Sequence, residues 1–242
     1  MLKRIVALAI LICTACQTTK IKNEEYKFSS SIVEIGSIGE SKLSYNQNIF
    51  ETKAFPKLQN NIRLEIGVVP YNKKLDKIYK SKAKYNQNQT KVAFIDSLAI
   101  KPELVTIKVL DIAGFVHEIN SDYNTEILNL LVNTESSKII SSLAVNLSAN
   151  EITKIRQADA YYLINNLHKK YSIALFKLGK KVDTIDINSE TIVAYQVSSF
   201  CWSVSEKGKW YVADIVGEYS SCKGVTEKRI TPKKKNKSLF DL

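Results

Sequence analysis

The chain has 242 residues, 45% of them hydrophobic, with only 8 glycines and 4 prolines. That composition argues against disorder and supplies enough apolar surface for one large or two small domains. The formal net charge is +11, from 35 Lys and Arg against 24 Asp and Glu. After the first dozen residues nothing approaches the roughly 20 apolar residues that a membrane-spanning helix needs.

The chain begins with Lys3 and Arg4, then eight apolar residues from Ile5 to Ile12, then Cys13-Thr14-Ala15-Cys16. A short cationic segment stays on the cytoplasmic side while the apolar run enters the export machinery, and this run is too short for a permanent anchor. Thr14 and Ala15 before Cys16 resemble the lipobox of bacterial lipoproteins, whose leader is cut before a cysteine that carries a diacylglycerol. The resemblance implies a signal peptide over 1–15 and lipidation of Cys16 with fatty acids such as palmitate. Two acyl chains, at about 0.8 kcal/mol per buried methylene, hold a protein stably on a membrane where one is marginal. The pattern departs from the family at Cys13, where Leu is usual, and Cys13 is itself a poorer acceptor because bulky Ile12 would sit where a small residue is wanted. An ordinary cleaved signal peptide is the other reading of this segment. Residue 17 is Gln, not the Asp that favours inner-membrane retention in enterobacterial lipoproteins, so the expected location is the cell envelope at the outer membrane.

Residues 16–29 are polar and lack hydrophobic periodicity, the composition of a flexible tether. Residues 30–97 form a weakly specified, β-rich region. Short β-prone runs at 31–35, 62–69 and 91–96 are separated by Asn-, Lys- and Gln-rich stretches such as 71–90, in which Leu75, Ile78 and Tyr79 permit one or two helical turns.

From residue 98 to 222 the pattern sharpens into an α+β domain. A strand over 103–110 precedes a helix with Ile112, Phe115, Val116 and Ile119, and a second helix carries Ile127, Leu128, Leu130 and Leu131. Ile139, Leu143, Val145 and Leu147 mark a strand with one buried face. Ser148 and Glu151 read as a capping box that opens a helix lined by Ile152, Ile155, Ala158, Tyr162 and Leu163 and reaching about Leu167. Strands over 171–178 and 182–187 flank Gly179-Lys180, and strands over 191–204 and 210–216 flank a turn with Lys207-Gly208. The expected fold class is α+β: a mixed or antiparallel sheet, a C-terminal four-stranded meander and a few packing helices. Ala194-Tyr195-Gln196, Cys201-Trp202 and residues 212–216 resemble uncharacterised envelope lipoproteins of the Bacteroidetes, a loose, partly compositional likeness that implies location and no activity.

Cys201 and Cys222 suit a disulfide in an oxidising envelope compartment, worth roughly 3 kcal/mol for the loop they close. Two buried thiols are the alternative, since Cys201 lies in an apolar strand. Zinc would require further ligands, and His117 and His168 have no partner at metal-site spacing, so neither metal nor cofactor is expected. Residues 223–242 hold seven basic residues against Glu227 and Asp241 and read as a disordered basic tail. Such a tail either merely solubilises or attaches to an anionic surface, each Lys adding about 1 kcal/mol at best. Nucleic acid fits the charge but not an exported protein.

Catalytic patterns are thin. No Gly-flanked nucleophile elbow or phosphate loop occurs. His117 beside Glu118 is a candidate base, but a lone helical His is more often a surface residue; His168 beside Lys169 and Lys170 suits a helix end. Asp111, Glu118, Asp122 and Glu126 are numerous enough for a glycosidase-like pair without marking a cleft. Aromatic residues gather near the C-terminus. Trp202, Trp210, Tyr211 and Tyr219, with Tyr195 and Phe200, read either as core or as rings that stack on sugars or anchor a protein. The expected function is a lipid-anchored envelope protein with a binding or assembly role, its partner an envelope protein or glycan; the alternative is an envelope hydrolase that cuts peptidoglycan or glycan through acidic residues.

Overall fold

The computed structural model describes residues 18–28, 33–44, 47–83, 92, 94–95, 97, 101–134, 136–166, 171–188 and 191–230. The leader, Cys16, His168 and the tail beyond residue 230 lie outside them. Within them the fold is α+β, a single antiparallel sheet with a few helices.

Its centre is β5 (Ile62–Pro70), β6 (Glu103–Val109) and β7 (Ser137–Val145). Alternation along these strands separates two faces. Leu64, Val105, Ile107, Val109, Leu143 and Val145 enter the main core. Leu104 and Ala144 belong to a smaller apolar cluster, and Thr106, Lys108 and Ser142 share their strand parity. On the main side, α2 (Ile112–Asn120) follows β6 and buries Phe115 and Ile119. Asp111 caps it by accepting from the Gly114 N–H at 2.8 Å. At its other end Asn120 imitates a strand partner, donating to Val212 O at 2.7 Å and accepting from Val212 N at 3.0 Å. That clamp ties the helix to β12 (Trp210–Gly217). The α3 helix (Thr125–Val132) follows a short 3-10 turn, and α4 (Ala149–Gln157) opens on the expected Ser148–Glu151 capping box.

Several expectations are corrected. The stretch taken as a tether forms a hairpin, β1 (Thr18–Ile21) and β2 (Glu24–Lys27). Its inward residues are only Thr19, Ile21 and Tyr26, too few for a periodic signal, yet Ile21 and Tyr26 are each 2% exposed. Lys22 and Asn23 turn it, both at positive φ. The hairpin and α1 (Lys73–Ala83) bring Ile21, Tyr26, Leu75 and Tyr79 onto the second face, covering Leu104 and Ala144.

The run 31–35 is not a strand where it is described: Val33 and Ile35 are buried in a loop that leads into β3 (Ile38–Ser44). The β3 strand pairs with β4 (Gln47–Ala54) and with the start of β7. A Cβ on Gly39 would meet the Glu51 carbonyl, so this pairing requires glycine there. Of the run 91–96, Val92, Phe94 and Ile95 are described and lie in no strand.

The helix expected to reach Leu167 stops at Gln157, and Ala160–Asn165 is β8. Tyr161, Tyr162, Leu163 and Ile164 are β-prone, and pairing with β5 and β9 (Tyr171–Lys177) outweighs the helical spacing of Ala158 and Tyr162. The C-terminal meander is two separate hairpins. The β9 strand pairs with β10 (Lys180–Asp186) at one end of the sheet, while β11 (Ile192–Val204) joins β12, β7 and β2. One sheet thus spans both the N-terminal region and the later α+β segment.

Candidate functional site

The hairpin creates a cleft. Where β2 meets β11 and the end of β12, a cavity of about 540 Å³ opens between the hairpin, the end of β6 and residues 217–220. Thr18 and Glu25 stand on its hairpin wall, Glu65 and Lys108 on its floor strands, and Gln196 and Tyr219 opposite. Two ion pairs fix the hairpin in place: Lys108 to Glu24 at 2.7 Å, and the half-buried Lys27 to Glu218 at 2.6 Å. Gln196 reinforces them by donating to Glu25 O at 2.9 Å, and in the cleft lining Ser198 of β11 donates to Ser141 Oγ of β7 at 2.8 Å. Glu65 has no ion-pair partner among the described residues, and Tyr219 presents a ring that is 78% exposed. The cleft therefore offers carboxylate and amide groups beside a free aromatic face.

The sequence-derived candidates divide. Trp202 is 5% exposed and belongs to the core, so it is no stacking platform. Trp210 packs against the same core. Its partner in register is Val204, whereas Tyr211 pairs with Ser203 on the opposite strand parity and is exposed. Only Tyr219 reaches the cleft. Cys201 and Cys222 lie at disulfide distance, their Cα atoms 5.7 Å apart, with Cys201 wholly buried.

His117 is exposed on α2, and its neighbour Glu118 turns away to serve the fold. Glu118 is wholly buried and accepts from Gln59 N at 2.6 Å, Asn60 N at 3.3 Å, Asn60 Nδ2 at 2.7 Å and Tyr123 OH at 2.7 Å. Burial alone would raise its pKa; those donors outweigh burial and hold it below the usual carboxylate range. Asp111 is spent on a helix cap. Among the described residues no group of three or more His, Cys, Asp or Glu is placed to hold a metal ion. No described helix is long and apolar enough to cross a membrane.

Sequence reasoning missed Glu24, Glu25, Lys27, Glu65, Lys108, Gln196 and Glu218. The one signal was Glu24-Glu25-Tyr26-Lys27, where a single aromatic residue among charges marks a strand edge. Family models, curated proteins and solved structures were all compared with the chain, and none matches.

Proposed function

We propose that this chain is a lipid-anchored envelope protein that binds a glycan segment in the cleft beside β1–β2. The observation that carries the reading is the cleft itself: a cavity large enough for a small ligand, with an exposed tyrosine ring at residues 217–220 and acceptor groups on its walls. A ring face stacks on the apolar face of a sugar while carboxylates and amides take its hydroxyls. The leader supports export, and the cysteine pair at disulfide distance suits an oxidising compartment. Anchoring has a geometric consequence. Cys16 precedes Thr18 by two residues, a reach of at most about 7 Å, and Thr18 lines the cleft. A ligand would thus be met close to the bilayer surface.

The test combines two measurements. The intact mass of envelope-extracted protein should correspond to a chain that begins at an acylated Cys16. Titration with soluble peptidoglycan fragments should give saturable binding, weakened about five- to tenfold by Tyr219→Ala. A mass that begins at Met1, or fragment affinity identical in the two proteins, overturns the proposal. A second reading, hydrolysis of the same glycan, rests on the four glutamates that line the cleft, Glu24, Glu25, Glu65 and Glu218. It predicts release of reducing ends from peptidoglycan, abolished by Glu65→Gln.

A further inference from the structure

A second cavity, of about 250 Å³, lies where the start of β7 meets the middle of β11. Lys138, Lys228 and Arg229 line it together with the hydroxyl-bearing Thr134, Ser137 and Ser199; Phe200 and Trp202 complete the wall. None of its described lining residues is an acid. Lys138 is half-buried, and its ammonium donates to Ser199 Oγ at 2.8 Å. The nearby carboxylate of Glu218 is engaged by Lys27, while Lys228 donates to the Glu218 backbone carbonyl at 3.0 Å. Arg229 has no carboxylate partner among the described residues. Beyond the cavity lining, Glu40 accepts from Ser136 at 2.8 Å and lies 3.7 Å from Lys53.

The fold assembles this cluster from distant parts of the chain. Cys222 is tied to Cys201, and Trp202 exchanges two backbone hydrogen bonds with Glu227, at 2.7 and 3.0 Å. The segment that carries Lys228 and Arg229 is therefore bridged to β11 beyond the point where β7 begins, and both cations line the same cavity as Lys138. Among the described lining residues these three cations gather with no acid between them, and Glu218, the carboxylate that acts on Lys138, is held by Lys27; such a cluster is costly unless an anion offsets it.

The geometry points to a phosphate-binding site here, in which Lys138, Lys228 and Arg229 neutralise the anion and the serine and threonine hydroxyls donate to its oxygens. A phosphoryl group fits better than a carboxylate because it offers three acceptor oxygens and up to two negative charges to donors on several sides. Burial, with help from Lys228 and Lys27 and against Glu218, holds Lys138 below the ordinary lysine range, and a bound anion would relieve that. The phosphoryl group is either free or part of a lipid headgroup; the chemistry is shared.

The test uses the chain from Cys16 onward with its disulfide formed. Inorganic phosphate is titrated by calorimetry and by NMR of the lysine ammonium groups. Saturable millimolar or tighter binding is expected, weakened about tenfold or more in Lys138→Met and in Arg229→Gln, and unchanged in Lys180→Gln/Lys181→Gln on the remote β10. Arg229 is exposed, so its variant keeps the test valid should Lys138→Met fold poorly. Failure to saturate at millimolar phosphate, or equal weakening by the remote pair, overturns the proposal. Vesicles of phosphatidylglycerol in phosphatidylcholine separate the sources. Binding that phosphate competes away, and that Arg229→Gln weakens, assigns the site to headgroups; phosphate binding without vesicle binding assigns it to a free phosphoryl ligand.

Discussion

Tyr26 and Ser142, 116 residues apart in the chain, share a buried hydrogen bond of 2.9 Å. Ser142 spends its own proton on Ile107 O at 2.9 Å, so in the first bond the tyrosine donates and the serine accepts. This relay fastens the N-terminal hairpin to the two central strands. Tyr26→Phe should cost about 1 kcal/mol, and Tyr26→Ala about 3 to 4 kcal/mol because a cavity is added to the lost bond. The same residue predicts alkaline behaviour. Burial, with Glu24 and Glu65, pushes Tyr26 up to about 12. Its raised folded value means that its contribution is fully present below about pH 10 and is lost as pH climbs toward about 12. Tyr71 and Tyr171 are raised by burial too, so Tyr26→Phe should flatten only part of the decline in urea midpoint over that range.

Glu118 sets the acid limit. Three of its four donors latch the loop at Gln59 and Asn60 onto α2, and its depressed pKa means that the stabilisation is present above the usual value of about 4.5. It is lost as pH falls through the lower, folded value. Glu118→Gln should lower stability by about 2 kcal/mol at neutral pH and weaken the acid dependence. Urea titrations of both proteins from neutral pH to about pH 3 check the sign, and parallel curves would refute it.

The β9–β10 turn is badly filled. Leu178 and Gly179 both have positive φ, 51° and 74°, as a two-residue hairpin turn demands, and Leu178 is 86% exposed. A leucine there bears backbone strain without burying its side chain. Leu178→Asn should raise stability by about 0.5 to 1 kcal/mol, while Gly179→Ala should lower it by about 1 kcal/mol. Thermal midpoints of the two variants should move in opposite directions.

The elements read best from sequence are those whose signal is local. The capping box at Ser148 and Glu151, the strand over 103–110 and the helix with Phe115 and Ile119 depend on neighbours within a turn or two. What stayed hidden depends on distant partners. The β1–β2 hairpin is polar because its outward residues pair with Lys108 and Glu218 across the cleft, and neither pairing leaves a local trace. The β8 strand read as helix because Ala158 and Tyr162 fall at helical spacing; only β5 and β9 decide otherwise. Nor could the phosphate-binding cluster be read, since Lys138 meets Lys228 and Arg229 only after the Trp202–Glu227 pairing forms.

That pairing makes the cysteine bond the organiser of the C-terminal edge. Cys201 and Cys222 are separated by 21 residues, and closing a loop of that size should stabilise by about 3 kcal/mol on the chain-entropy model. Cys201→Ala/Cys222→Ala should lower the thermal midpoint accordingly. The loss should also be regional. Residues 217–230 contribute mostly exposed side chains, so once the bond is gone their backbone protection rests on the Trp202–Glu227 hydrogen bonds and a few turn contacts. Hydrogen exchange at Glu227 should then accelerate far more than at Ile107 or Leu143 in the sheet centre. Uniform acceleration across the sheet would show instead that the bond supports the whole fold.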